Sequence, residues 1–175
     1  MTSDIYERAL KIKLVIFDVD GVLTNGSLSY GHNGQESKVF HVRDGQGMKM
    51  LQQSGVMIAI ITARSSQAMM HRMTDLDINH IYQGQSNKRI AFEDLCTKLA
   101  LQAEQVAYVG DDLIDLPVMT RVGLAIATAD AHDVVVDNAH WQTSIEGGAG
   151  AAREVCEFIM KAQGTFDALL AEYLS

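Results

Sequence analysis

Two short acidic clusters hold the residues best suited to chemistry: Asp18-Val19-Asp20, which opens the run 18–24, and Asp111-Asp112 with Asp115, inside the run 110–115. Each directly follows a short apolar run, Leu14–Phe17 in one case and 106–109 in the other. A lone aspartate at a strand end is commonly a turn former. Two such clusters behind two parallel strands instead bring several carboxylates to one edge of a sheet, where ligands bind in open parallel sheets. Carboxylates gathered in this way repel one another unless a cation lies among them. Oxygen donors without cysteine or histidine favour a hard divalent ion, and Mg2+ fits best, because it keeps several waters and takes one or two carboxylates plus a phosphate oxygen.

Two further strand ends carry groups that bind anions. Thr62-Ala63-Arg64 follows the apolar run Met57–Ile61, and Lys88 comes after the run His80–Tyr82. Hydroxyl, backbone N–H and ammonium groups suit the equatorial oxygens of a phosphoryl group. Taken alone, Thr62 reads equally well as a helix cap beside Ser65 and Ser66, and Lys88 as a solvated surface charge. Their position between two acidic strand ends is what raises both.

The elements that must position these groups follow from hydrophobic periodicity. Five Val- and Ile-rich runs, Leu14–Phe17, Met57–Ile61, His80–Tyr82, 106–109 and Leu124–Ala127, read as buried strands. Most are separated by segments with apolar residues three and four apart, at 48–53, 68–76 and 89–101. This alternation predicts an α/β fold, a Rossmann-like parallel sheet covered by helices on both faces. One segment breaks the rhythm: 27–30 and 38–42 read as strands flanking Asn33-Gly34, a dipeptide suited to a type I′ turn. A hairpin over about 27–42 is therefore expected to project after the first strand, and its free edge is a candidate contact with another copy of the chain. Residues 146–150 read as a flexible glycine-rich break, 151–163 as an amphipathic helix and 164–175 as a tail that can form a short docking helix.

Composition narrows the function. The 175 residues suffice for one core and predict a single domain over 1–175; the apolar fraction of 47% is that of a soluble globular protein. A net charge of −8 without any basic run argues against nucleic acid. The start of the chain lacks the features of a signal peptide and no run approaches the roughly 20 apolar residues of a membrane helix, so a cytoplasmic location is expected. Cys96 and Cys156 lie in helical stretches without zinc-ligand spacing and read as buried thiols.

With Asp18/Asp20, Thr62, Lys88 and Asp111/Asp112 appearing in order behind successive strands, the chain resembles the haloacid dehalogenase superfamily over its whole length. That resemblance implies a phosphatase in which Asp18 attacks phosphorus and Asp20 protonates the leaving oxygen and then activates water. It further implies that Asp18, the backbone carbonyl of Asp20 and Asp111 hold Mg2+, with Asp112 and Asp115 supporting the loop and Thr62 and Lys88 holding the phosphate. The carboxylate at Asp20 favours phosphate esters over halides. Only 43 residues separate Asp18 from Thr62 and 25 separate Thr62 from Lys88, which leaves no room for a cap domain.

Within the superfamily, the Asn33-Gly34 hairpin, Val42-Arg43-Asp44-Gly45, the cluster 110–117 and the segment 147–154 resemble the capless, tetrameric branch that hydrolyses acidic sugar phosphates for lipopolysaccharide precursors. By that resemblance the substrate is an eight-carbon acidic sugar phosphate, and the partner that completes the site is a neighbouring subunit of a homotetramer built through the hairpin. Asp20, His41, Val42, Arg43, Asp44, Gly45, Lys49, Arg64, Arg72 and Lys88 are its candidate contacts. His41 reads otherwise as a packed or surface residue, and Arg72 and Lys49 as surface charges. The tail resembles a mobile segment that covers a neighbour's site, although Ala149 stands where many relatives are expected to be basic. Two alternatives share the fold: a phosphatase for a nine-carbon acidic sugar, and a non-catalytic oligomerisation module.

Overall fold

In the computed structural model, which describes residues 3–175, the chain runs from α1 (Ser3–Ala9) into β1 (Leu14–Phe17) and then a small hairpin, β2 (Ser29–Tyr30) and β3 (Glu36–Ser37). There follow α2 (Val42–Gln53), β4 (Met57–Ile61), α3 (Gln67–Asp75), β5 (His80–Tyr82), α4 (Lys88–Leu99) and β6 (Val106–Gly110). The last part comprises α5 (Leu116–Met119), β7 (Leu124–Ala127), α6 (Asp133–Asp137), β8 (Trp141–Gln142), α7 (Ala151–Ala162) and α8 (Phe166–Leu174).

Six strands form one parallel sheet in the order β5-β4-β1-β6-β7-β8. Alternate residues of β1 divide between two cores. Val15 and Phe17 pack with Met48 and Leu51 of α2 and Val155 and Ile159 of α7, while Leu14 and Ile16 pack with Phe92 and Leu95 of α4 and Val118 of α5. Both faces are thus dry, which is why β1 reads as an unbroken apolar run. Burial of each such side chain contributes roughly 1.5–3 kcal/mol.

From β1 the chain moves outward on one side, through β4 to β5, and from β6 it moves outward on the other, through β7 to β8. β1 and β6 are neighbours in register, Phe17 beside Val109. The crevice beyond their carboxyl ends is the switch point at which open parallel sheets bind ligands, and Asp18 and Asp111 are the residues that emerge there.

Two local expectations are corrected. The hairpin forms, but it pairs only Ser29 with Ser37 and Tyr30 with Glu36. Residues 38–41 are not a strand; they lead into α2, where the His41 ring nitrogen accepts a bond from the Arg43 N–H and so caps the helix. The turn is not type I′ either. Gly34 N–H donates to Gly31 O and Gly31 N–H to Gln35 O, and Gly34 takes a φ of 75° while Asn33 stays negative. That is the three-residue loop closed by a glycine bulge, which needs only one left-handed residue.

The glycine-rich segment is a packed structure rather than a flexible break. A Cβ on Gly147 would lie 1.8 Å from Gly21 O, and Gly148 N–H donates to Val22 O at 2.9 Å. The segment therefore presses directly on the loop behind Asp18. The tail forms α8, packed on α7, with the Tyr173 hydroxyl accepting from Gln46 Nε2 at 2.6 Å and Phe166 beneath the Lys161 ammonium. Among the described residues, no helix is long and apolar enough to cross a membrane.

Candidate active site

Asp18, Asp20, Thr62, Arg64, Asp111 and Asp112 line one cleft of about 220 Å3 at the switch point. The Asp18 N–H still donates to Val109 O at 3.1 Å, so its side chain is presented from the last rung of the β1–β6 ladder. Thr62 is held by its N–H to Tyr82 O and by the bond that its own carbonyl accepts from Gln85 N–H. The cap of α3 is Ser66, whose side chain accepts from Met69 N–H. Thr62 is thereby released from a capping role and lines the cleft.

Lys88 is the clearest departure from a surface charge. It occupies the first position of α4, where the helix dipole disfavours a cation, yet it is only 1% exposed. Its ammonium lies 2.7 Å from Asp18 Oδ2 and 2.6 Å from Asp115 Oδ1. Burial alone would depress its pKa, but the two carboxylates outweigh that and the net shift is upward, so the group stays charged.

An oxygen from each of Asp18, Asp111 and Asp115 lies within 4.8 Å of the others. They differ in what else they touch. Asp115 is saturated: Oδ1 accepts from Lys88 and from the Tyr108 hydroxyl at 2.6 Å, and Oδ2 accepts from the N–H groups of Asp111 and Asp112. It holds the 110–112 loop in shape. Asp112 caps the turn that follows, accepting from Leu113 N–H at 2.7 Å. Asp18 Oδ1 and Asp111 Oδ1 are buried with no hydrogen-bond partner among the described residues, so both are available to a cation. Burial, then Asp115, drives Asp18 up to about 6 against the pull of Lys88; burial, then Asp115 and Asp18, drives Asp111 up to about 8. An all-oxygen pair of this kind fits Mg2+, and Asp18 and Asp111 are the side chains that would hold it.

Asp20 faces a different surrounding. Its Oδ1 is bonded by Lys38 Nζ, and Arg64 Nε stands 3.7 Å from Oδ2. Lys38 also meets Glu36 at 2.8 Å, and Arg64 meets Glu36 at 2.7 Å and the Tyr30 hydroxyl at 2.9 Å. The bonds from Lys38 and Arg64 hold the Glu36 carboxyl below its ordinary range. Sequence reasoning missed Lys38, Glu36 and Tyr30 as site residues, because their approach depends on where the hairpin returns. It also passed over Tyr108 within an apolar strand; a buried tyrosine hydroxyl requires a partner, and that was the available signal.

The other sequence-nominated contacts do not gather in this cleft. Asp44 is buried, and its Oδ1 accepts from Arg153 N–H at 2.9 Å in the first turn of α7. Gly45 packs under Arg72, whose guanidinium would lie 2.1 Å from an added Cβ. His41 and Arg72 border a crevice with them, Arg43 lies on a separate surface beside Arg153, and Lys49 on a third beside Asp77. Val42 is 79% exposed. Of the residues nominated solely as substrate contacts, Arg64 alone lines the carboxylate cleft.

Comparison with known proteins agrees with this geometry. A family model described as haloacid dehalogenase-like hydrolase matches residues 77–154. The 3-deoxy-D-manno-octulosonate 8-phosphate phosphatase of Escherichia coli is 51% identical over 95% of this chain and 89% of its own length, and that of Salmonella typhimurium 52% over the same shares. The crystal structure of the Moraxella catarrhalis phosphatase of the same name, in complex with magnesium ion, phosphate ion and a KDO molecule, superposes with a TM-score of 0.97 at 42% identity, covering 99% of each chain. A probable YrbI family phosphatase from Pseudomonas syringae gives a TM-score of 0.98 at 48% identity, also covering 99% of each.

Proposed function

The chain belongs to the haloacid dehalogenase-like hydrolases, and from that premise we propose that it is a Mg2+-dependent phosphatase for 3-deoxy-D-manno-octulosonate 8-phosphate, acting in lipopolysaccharide precursor synthesis. The observation that carries the reading is the pair of buried, unpartnered oxygens on Asp18 and Asp111 beside the Asp18–Lys88–Asp115 bridge. Relatives half identical over nearly the whole chain supply the substrate. Bound Mg2+ supplies the positive charge that lets the carboxylates and a phosphate dianion share the cleft.

In the first step an Asp18 oxygen attacks phosphorus and the bond to the sugar oxygen breaks, while Asp20 delivers a proton to that oxygen. In the second step water attacks the aspartyl-phosphate, Asp20 takes the water proton, and the bond to Asp18 breaks to release phosphate. Lys88 fixes the Asp18 carboxylate, and Thr62 and Lys88 hold the phosphoryl oxygens. The whole of 1–175 acts as one catalytic unit. Apolar groups exposed on and beside the hairpin, Val39 at 84% and Val42 at 79% with Leu28 and Tyr30, support assembly through this arm into a homotetramer. In that assembly Arg43, Lys49 and Arg72 would serve a neighbour's cleft. Two unpaired thiols suit a cytoplasmic setting.

The test is phosphate release from 3-deoxy-D-manno-octulosonate 8-phosphate, with Mg2+ and with chelator, beside a panel of other sugar phosphates including nine-carbon acidic ones. Mg2+-dependent preference for the eight-carbon ester is the expected result. Preference for a nine-carbon ester would overturn the substrate, and no hydrolysis at all would overturn the enzyme.

Stability carries a second signature. Asp18 at about 6 and Asp111 at about 8 lie above their unfolded values, so the metal-free folded state binds more protons than the unfolded state in between. The contribution of these two groups to stability is therefore fully present below about pH 4 and is lost as pH rises toward about 8. Saturating Mg2+ should flatten that slope, because the ion favours the ionised carboxylates. Urea midpoints measured across this range with chelator and with Mg2+ check the claim; parallel slopes would contradict it.

A further inference from the structure

Lys38 is used by none of the steps above, yet its side chain is only 3% exposed and its ammonium sits between Asp20 and Glu36. Burying an ammonium carries a desolvation cost, and a buried ion pair is seldom the most stable solution for a fold, since apolar side chains of similar volume often do as well or better. Stability alone is therefore weak ground for a lysine at this position. What the lysine does achieve is geometric. Lys38 engages Asp20 Oδ1 and leaves Oδ2 without a hydrogen-bond partner, with Arg64 Nε at 3.7 Å on that side. Glu36 joins the two cations, meeting Lys38 through Oε1 and Arg64 through Oε2.

The geometry points to Lys38 as a positioning residue that holds Asp20 with one oxygen engaged and the other free to exchange a proton with the leaving oxygen. This rests on the phosphatase reading and deepens it. It makes the hairpin part of the acid–base apparatus: the return strand, with Glu36 in it and Lys38 directly after it, sets the angle of the Asp20 carboxyl. The effect must depend on the leaving group. A sugar alkoxide cannot depart without a proton, whereas p-nitrophenolate departs readily without one.

The experiment compares wild type with Lys38→Met on 3-deoxy-D-manno-octulosonate 8-phosphate and on p-nitrophenyl phosphate, both with saturating Mg2+. Turnover of the sugar ester should fall by about 10²-fold or more, at little change in KM, and turnover of the aryl ester by less than about fivefold. In an Asp20→Asn background the same substitution should cost nothing further with the sugar ester, because the group it positions is gone. Equal losses with both esters in a variant that melts like wild type, or no loss with either, overturn the proposal. Should K38M fold poorly, Lys38→Gln carries the same comparison. If the wild type cleaves neither ester, the phosphatase reading falls first and this inference falls with it; if it cleaves both, only Lys38 is on trial.

Discussion

Replacing Asp18 with Asn lowers Mg2+-dependent phosphate release by at least about 10⁴-fold, because the attacking atom itself is lost. The same change leaves the fold intact. Asn retains the shape and one acceptor, and Lys88 keeps its bond to Asp115. It also removes one of the charges that drive Asp111 up to about 8, so the metal-free variant should be at least as stable as wild type near pH 8. Calorimetric titration with Mg2+ should find weaker binding, since a neutral amide replaces one of the two carboxylates that would hold the ion. Loss of activity together with unimpaired unfolding midpoints separates chemistry from structure. A variant that kept more than about 1% of wild-type turnover would remove Asp18 from the role of nucleophile.

Lys88→Met should have the opposite profile and damage both. The ammonium stands between two buried carboxylates at 2.7 and 2.6 Å, and taking it away leaves Asp18 facing Asp115 with no cation. Breaking a buried pair from one side typically costs about 3–5 kcal/mol, a large share of a domain's total. The urea midpoint should fall accordingly, and turnover by about 10²–10³-fold through loss of a donor to the phosphoryl oxygens. Saturating Mg2+ should recover part of the midpoint by binding the same carboxylates in the folded state. The control is Lys98→Met, which breaks the exposed α4 pair with Asp94 and should leave the midpoint in place. Equal effects of the two substitutions would refute the buried-bridge account.

Strands β1, β6 and β7 were legible in the sequence because every residue in them is buried, whereas β5 is only partly so. Leu14–Phe17 and Leu124–Ala127 hold no polar side chain that could disguise them. β8 was not, since Trp141–Gln142 is too short to show any period. The gathering of Asp18, Asp20, Thr62, Lys88 and Asp111 at one sheet edge was legible because each follows a strand in the chain and the parallel sheet does the rest. Lys38 was not, because its link to Asp20 spans 18 positions and is made by the path of the hairpin rather than by any period. Asp44 is nominated as a ligand contact from its place in Val42-Arg43-Asp44-Gly45; its bond to the Arg153 N–H, 109 positions away, was not legible, because nothing local announces a cap at that distance. The glycines near 147 suggested freedom, where the structure uses their small size to bring two loops together.

Asp18 and Lys38 sit on supports of very different cooperativity. β1 is flanked by β4 and β6, and all four of its residues are buried, so its amides are expected to exchange with solvent only when the whole domain opens. The hairpin is paired through two residue pairs, with Ser29, Tyr30 and Ser37 exposed, and can detach without disturbing the sheet. In an isolated subunit, Asp18 would thus stay aligned through many fluctuations that release Lys38 from Asp20. On the proposed mechanism, competence depends on how long the arm remains seated, and anything that clasps the arm should raise the fraction of time the proton can be delivered.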